Sequence, residues 1–305
     1  MLLKHYLERM DYSNLPDFLI KYLKSPSLLR LKKVGYFCGM DYASKDIYNF
    51  SEYISRYDHS LTVSLIVYKL TKNKVATLAA LFHDIATPCF SHVIDYMNED
   101  YEKQESTEEY TEYILKKDEY LKKCLEEDGI DINDISDFKK YTIVDNDRPK
   151  VCADRIDGII LTGIGWTKNI NKNDIDHIVE DMCLFKNEYN EDEIGFRTLN
   201  VGKKVVEVNK SIDTSCHSSE DNYMMNLLAL ITKLAILKKY VSYEELYFYN
   251  EEELFTLFKQ KADDEFQKLI YEFENIKLES IPITEISNAK IRTLNPIVNG
   301  KRMIK

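Results

Sequence analysis

Residues 81–92 read LFHDIATPCFSH, in which a histidine–aspartate doublet, His83 and Asp84, is followed nine residues after His83 by His92. The doublet ends an apolar segment, where a carboxylate is costly unless a cation or several hydrogen-bond donors satisfy it. Adjacent helical residues point about 100° apart, so such a pair grips a metal from the end of a helix. Pro88 indicates that the helix ends here. The pattern predicts a metal site.

Two further residues in apolar helical segments can complete the ligand set. His59 begins HSLTVSLIVYKL (59–70), and Asp154 lies inside VCADRIDGII (151–160). A lone histidine on an apolar face is more commonly a hydrogen-bonded core residue, but the buried carboxylates favour a ligand role. Two imidazoles and two carboxylates suit one divalent ion, with Mn²⁺, Fe²⁺, Mg²⁺, Zn²⁺ and Ni²⁺ all left open. Such an ion lowers the pKa of bound water and withdraws charge from a phosphoryl oxygen.

Helical periodicity dominates the elements that must position these residues, and the predicted fold class is mainly α. A small β-hairpin is predicted over 193–209, where β-branched residues alternate on both sides of NVGK. Residues 1–190 are expected to form the core, with the hairpin and C-terminal helical layer of 191–305 packed on it as one globular unit. Helices are predicted over 59–70, 75–86, 105–123, 151–164, 174–186, 221–240 and 251–276.

The composition bounds the function. Only nine glycines and six prolines occur in 305 residues, which favours long helices. The formal charge of −11 argues against nucleic acid or an anionic membrane as partner, but a bound metal can still attract a small anionic substrate. No uncharged stretch is long enough to span a membrane. The six cysteines form no C-x-x-C pair and are expected to be reduced thiols in a cytoplasmic protein.

Five stretches carry a family resemblance: SPSLLRLKKVG (25–35), SRYDHSLTV (55–63), AALFHDIATPCFSHVID (79–95), VCADRIDG (151–158) and AKIRTLNPIVNGK (289–301). Together they resemble the HD-domain phosphohydrolases. More narrowly, they are similar to the deoxynucleoside triphosphate triphosphohydrolase branch, which includes bacterial dGTPases and the vertebrate enzyme with SAM and HD domains. The resemblance implies an HD-domain helical core and covers most of the chain.

The resemblance also implies roles for individual side chains. The metal ligands would be His59, His83, Asp84 and Asp154. Arg56 would reach a substrate phosphate, and His92 would act as acid, base or nucleophile while Asp95 orients its ring. The three-residue spacing of His92 and Asp95 on a helix independently allows that pairing.

Several positions depart from the family pattern. Thr87 stands where the family usually has a histidine, and Lys103 or Gln104 replaces a second catalytic histidine. Gly158 and Thr162 fall where residues facing the nucleoside are expected, and residues 209–222 contain no arginine. The candidate substrate contacts are Arg56, Thr87, Lys103, Gln104, Arg155 and Gly158.

The expected activity is that of a metal-dependent phosphohydrolase acting on a nucleotide, similar to the deoxynucleoside triphosphate triphosphohydrolases. Two alternatives stay open: a phosphomonoesterase or phosphodiesterase for another small phosphate ester, and a metal-binding pseudoenzyme that senses nucleotides. The resemblance implies a homo-oligomer, either a dimer or a larger assembly.

Overall fold

The structure is a computed structural model that describes residues 1–100, 110–283 and 290–304. Two of the candidate substrate contacts, Lys103 and Gln104, lie outside the described residues. The fold is mainly α with a small sheet, as predicted. The helices are α1 (Leu2–Arg9), α2 (Asp17–Tyr22), α3 (Pro26–Arg30), α4 (Arg56–Thr71), α5 (Lys74–Phe82), α6 (Val93–Met97), α7 (Thr111–Lys117), α8 (Glu119–Asp128), α9 (Asn133–Ser136), α10 (Ala153–Gly165), α11 (Lys172–Asp181), α12 (Leu199–Cys216), α13 (Ser219–Leu237), α14 (Glu251–Lys259) and α15 (Asp264–Asn275).

Helix α4 is the centre of the core and packs against both α5 and α10. Its residues from His59 to Val67 are all buried, which explains why the sequence is apolar around most of the helix. Ser55 caps the first turn, accepting a hydrogen bond from the backbone N–H of Asp58 while the Asp58 carboxylate accepts from that of Ser55. This reciprocal capping fixes the start of the helix at Arg56.

The hairpin exists, but its predicted position is wrong. Its strands are β1 (Met182–Lys186) and β2 (Asp192–Phe196), paired antiparallel with Met182 opposite Phe196. Residues from Leu199 onward form helix α12 instead of a second strand. The valines there recur at helical spacing, because Val201, Val205, Val208 and Ile212 form one buried face. The helix predicted over 174–186 correspondingly ends at Asp181.

The C-terminal segment completes a four-stranded sheet. Strand β3 (Ile297–Val298) pairs parallel with β2, and β4 (Lys301–Arg302) pairs antiparallel with β3. Arg302 forms an ion pair with the fully buried carboxylate of Glu193. This ion pair and the backbone hydrogen bonds together hold the C-terminal segment against the hairpin. The C-terminal stretch is thereby held beside the residues that precede α10.

Helices α13, α14 and α15 form a layer on the core. The backbone N–H of Ser44 donates to Phe273 O at 2.9 Å, and that of Cys89 donates to Leu246 O at 2.8 Å. The single helix predicted over 251–276 is two helices, because Asp263 caps a new start at α15. The helix predicted over 105–123 is likewise interrupted, since Asp118 caps α8. The division at residue 190 stays a prediction.

None of the helices in the described ranges combines the length and the apolar character that crossing a bilayer requires.

Candidate metal centre

The histidine of the doublet presents one ring nitrogen that the protein does not use. Helix α5 ends at Phe82, and His83 is its C-cap residue. The Nδ1–H of His83 donates to Ala80 O at 2.7 Å, so the lone pair lies on Nε2. Nε2 is buried and has no hydrogen-bond partner within the described ranges. An orphaned imidazole lone pair fits a metal ligand, because leaving it unsatisfied costs free energy.

His59 occupies the first turn of α4 and contacts a carboxylate through each nitrogen. Its Nδ1 lies 2.7 Å from Asp157 Oδ2, and its Nε2 lies 3.0 Å from Asp154 Oδ1. Both carboxylates belong to α10, three residues apart on one face. Asp157 is fully buried and also accepts from the Tyr6 hydroxyl at 2.6 Å. Asp157 therefore orients the His59 ring so that Nε2 faces Asp154.

The four predicted ligands are brought together. One ligand atom each from His59, His83 and Asp154 lies within 4.8 Å of the others, a spacing that one ion can bridge. Asp84 lies 3.8 Å from both His59 Nε2 and His83 Nε2, through its two different oxygens. The donor set is two imidazoles and two carboxylates, which fits a divalent cation. Their roles as ligands remain predictions.

The charges at this point favour a cation. Burial lowers the pKa of His59, but hydrogen bonds with Asp154 and Asp157 outweigh it and raise the value to about 10. Burial raises the pKa of Asp84, but His83 and Arg56 lower it to about 2. The carboxylates are therefore ionised and the field at the imidazoles is negative, as a metal site requires.

Arg56 is more enclosed than its predicted role suggests. Its Nη1 lies 2.9 Å from Asp84 Oδ2, and its Nε donates to Ser91 Oγ at 3.1 Å. The guanidinium also lies 4.8 Å from the centre of the Tyr36 ring. Arg56 belongs to the cavity wall, where a charge so fixed can face a substrate oxygen while it orients Asp84.

The predicted His92–Asp95 pair is formed. His92 Nδ1 lies 2.8 Å from Asp95 Oδ2, and Asp95 is fully buried. The two residues before His92 have left-handed backbone angles, with φ of 65° at Phe90 and 48° at Ser91. Such strain is costly for residues other than glycine and tends to persist where a side chain must be aimed. It turns His92 into the cavity wall.

A cavity of about 1000 Å³ adjoins these residues and includes His83, Asp84, His92 and Asp154 in its wall. Two predicted substrate contacts, Arg155 and Gly158, line it as well. A Cβ at Gly158 would lie 2.7 Å from the Tyr36 hydroxyl, so glycine leaves room for that group.

The side chains of Thr87 and Arg155 are less free to contact a substrate than predicted. Thr87 is buried, and it is not part of the cavity wall that the described residues form. The Nη1 and Nη2 groups of Arg155 each lie 2.7 Å from acceptors on Asn146, so its guanidinium is held in place.

Sequence reasoning missed the cations that line this cavity. Residues 209–222 lack arginine as noted, but Arg148 and Arg292 reach the wall from the loop before α10 and from the C-terminal segment. Burial and then the neighbouring charges of Arg155 and Arg292 lower the pKa of Arg148 to about 10. No local motif marks Arg148, and Arg292 lies in the stretch 289–301 without having been assigned a role. Asp157 was also missed, although its spacing from Asp154 on an apolar helix was a usable signal.

Comparison with known proteins agrees with this geometry. Residues 56–139 match the family model of the HD domain. An HD domain is present. The match includes His59, His83, Asp84 and His92 and supports a metal-dependent hydrolase in general.

A relative extends the comparison without adding an activity. The uncharacterized protein YdhJ of Bacillus subtilis (strain 168) is 30% identical over 139 residues. The aligned region is 44% of this chain and 40% of that protein, so it spans less than half of the relative's length. The triphosphohydrolase branch of the HD-domain proteins stays a prediction.

Proposed function

We propose that this protein is a metal-dependent phosphohydrolase that acts on a nucleotide, in the manner of the deoxynucleoside triphosphate triphosphohydrolases. The observation that carries the proposal is the convergence of His59 with His83 and Asp154, two residues of the wall of a large cavity, with His83 Nε2 left without a partner among the described residues. A metal at this site could do more than stabilise the fold, because the site adjoins a cavity that a substrate can fill.

His59, His83 and Asp154, with Asp84, would hold one divalent cation. When bound, the cation polarises a phosphoryl oxygen and lowers the pKa of a coordinated water. Asp157 holds His59 in the tautomer whose Nε2 lone pair faces the site, and Ala80 O does the same for His83. Arg56 holds Asp84 ionised and presents positive charge to the cavity.

His92 is placed to move a proton. Asp95 accepts from its Nδ1–H, which leaves Nε2 to accept a proton from an attacking water or to donate one to the leaving oxygen. Asp95 is fully buried, so its hydrogen bond to the His92 ring is shielded from water and fixes the orientation of that ring.

The cations of the cavity support a substrate with more than one negative charge. The guanidinium groups of Arg148 and Arg292 donate to the backbone carbonyls of Thr293 and Lys290 and form no ion pair with a carboxylate within residues 1–100, 110–283 and 290–304, although the whole chain carries a net charge of −11. Guanidinium groups gathered in one cavity repel one another, and an anion between them reduces that repulsion. Phosphates are the anions that arginine binds best.

The test compares the wild type with His92→Ala after loading each with Mn²⁺, Fe²⁺, Mg²⁺, Zn²⁺ or Ni²⁺. Substrates are nucleoside and deoxynucleoside triphosphates, p-nitrophenyl phosphate and bis(p-nitrophenyl) phosphate, with products identified by phosphorus NMR. We expect turnover that falls at least about 100-fold in the variant, with metal content and melting temperature unchanged. Release of intact triphosphate identifies the triphosphohydrolase reaction.

The matched control is His177→Ala, which removes an exposed histidine of α11. It should leave turnover unchanged. Absence of turnover on every ester with every ion would overturn the proposal, and nucleotide binding without turnover would favour the sensor alternative.

A further inference from the structure

Part of the cavity wall consists of residues that the proposed chemistry does not use. Tyr48, Phe50 and Trp166 line it together, and their rings are in mutual contact. Ring centres lie 5.9 Å apart for Tyr48 and Trp166, and 6.5 Å apart in an edge arrangement for Phe50 and Trp166. An aromatic wall of this kind suits a flat apolar ring more than a sugar or an alkyl chain.

A buried carboxylate lies in the same wall. Asp221, in the first turn of α13, is 8% exposed and accepts a hydrogen bond from the Tyr48 hydroxyl at 2.6 Å through Oδ1. The other oxygen, Oδ2, has no hydrogen-bond partner within the described ranges. Because Asp221 belongs to the cavity wall, this oxygen can accept a hydrogen bond from a donor on a molecule that occupies the cavity.

The surroundings of Asp221 place its pKa close to neutral pH. Burial raises its pKa to about 7, while the Tyr48 hydrogen bond and the positive charge of Arg292 both act to lower it. Once ionised, the carboxylate can only accept hydrogen bonds. Because Tyr48 donates to Oδ1, the other oxygen, Oδ2, remains for a ligand.

We propose that Asp221, positioned by Tyr48, selects substrates whose non-phosphate part is a flat heterocycle with a ring N–H donor. The inference rests on the proposed function, since it assigns the nucleoside end of that same site. Guanine, hypoxanthine and uracil carry such an N–H. Adenine and cytosine present a lone pair at the corresponding ring nitrogen, which a carboxylate repels. A polar site that is left unpaired rejects the wrong ligand strongly.

The experiment measures binding, so that it does not depend on turnover. Guanosine, uridine, adenosine and cytidine 5′-methylenephosphonates, whose P–C bond is not hydrolysed, are titrated calorimetrically into Mn²⁺-loaded protein at about pH 8.5, where Asp221 is ionised. We expect the guanine and uracil ligands to bind at least about tenfold more tightly than the other two. In Asp221→Asn that ratio should fall to about threefold or less.

Tyr48→Phe provides a second variant should Asp221→Asn fold poorly, and it should lower the same ratio because Oδ1 loses its fixed donor. Asp118→Asn is the matched control. Asp118 is a buried carboxylate that caps α8 and is not placed in the cavity wall by the described residues, so its loss should leave the ratio unchanged. A purely structural role for Asp221 would weaken all four ligands in equal proportion.

A ratio near one in the wild type, or an unchanged ratio in both Asp221→Asn and Tyr48→Phe, overturns the inference. Hydrolysis of bis(p-nitrophenyl) phosphate separates this failure from that of the proposed function, because that ester contains no base. Turnover without base selection leaves the phosphohydrolase intact and removes the role of Asp221. Base selection without any turnover supports the role of Asp221 and removes the phosphohydrolase proposal.

Discussion

The two carboxylates that contact His59 have different roles. Asp154 faces the same point as His83 Nε2, whereas Asp157 holds the opposite nitrogen of the ring and is itself held by Tyr6. A ligand histidine whose second nitrogen binds a buried carboxylate is fixed in one tautomer and is a stronger base. The geometry of the candidate site therefore depends on Asp157 as well as on the four predicted ligands.

Replacing Asp157 with asparagine should weaken metal binding without removing a ligand. Because His59 loses its charged orienting partner, we expect the Kd for Mn²⁺ to rise about 10–100-fold, measured by calorimetry on metal-stripped protein. Tyr6→Phe is the control, since it leaves the carboxylate in place and should have a smaller effect. Equal affinity in the wild type and Asp157→Asn would show that orientation of His59 does not matter for binding.

The His83–Asp84 doublet and the His92–Asp95 pair could be found in the sequence because each lies in a short local pattern. His83 and Asp84 are adjacent, and His92 and Asp95 are three residues apart on one helix. The residues of the rest of the cavity lack such a pattern. Arg148 and Arg292 are separated by most of the C-terminal half of the chain, and only tertiary packing brings them to one wall.

Among the elements, α4 is the one on which the site most depends. It carries both Arg56 and His59 in its first turn, directly after the reciprocal cap formed by Ser55 and Asp58. Unsatisfied backbone N–H groups at that end would let the first turn fray, and the two side chains would lose their positions. The stability of the cap is therefore coupled to the geometry of the site.

Ser55→Ala removes the side-chain acceptor of this cap. We expect the free energy of unfolding to fall by about 1 kcal/mol, measured by urea denaturation of metal-stripped protein. Ser13→Ala, at an exposed serine, should leave it unchanged. An unchanged urea midpoint in Ser55→Ala would mean that the packing of α4 alone fixes its start.

The misplaced hairpin shows where element prediction is limited. Residues 199–212 are rich in valine, which favours strands, yet the buried positions fall at helical intervals and the segment packs as a helix on α10. Strand β1 lies instead where the last residues of the helix over 174–186 were predicted. Periodicity outweighed residue type, because burial of one continuous face contributes more free energy than intrinsic propensity.

At the scale of the whole molecule, the C-terminal layer and the core share a buried pair of carboxyl groups. Glu251 begins α14 and is fully buried, and neither of its oxygens has a hydrogen-bond partner within the described ranges. Asp41, before α4, approaches the same point: a Cβ at Gly35 would lie 2.6 Å from Asp41 Oδ2 and 3.0 Å from Glu251 Oε2. Two carboxyl groups so enclosed cannot both ionise without destabilising the contact between layer and core.

This pair makes the stability of the molecule depend on pH in a predictable direction. Burial, and then the charge of Asp41, raise the pKa of Glu251 to about 8, so the folded protein binds a proton that the unfolded chain has released. The stability that this proton contributes is complete below the ordinary glutamate pKa and is lost as the pH rises towards 8. Between about pH 5.5 and 8.5 the free energy of unfolding of the wild type should fall by about 2–3 kcal/mol through Glu251, measured by urea denaturation.

In Glu251→Gln the free energy of unfolding should fall correspondingly less over this pH range. Glu252→Gln changes an exposed neighbour that pairs with Lys33 and should keep the wild-type pH dependence. Parallel pH profiles for the wild type and Glu251→Gln would mean that Glu251 is ionised in the folded protein and that the layer tolerates its charge.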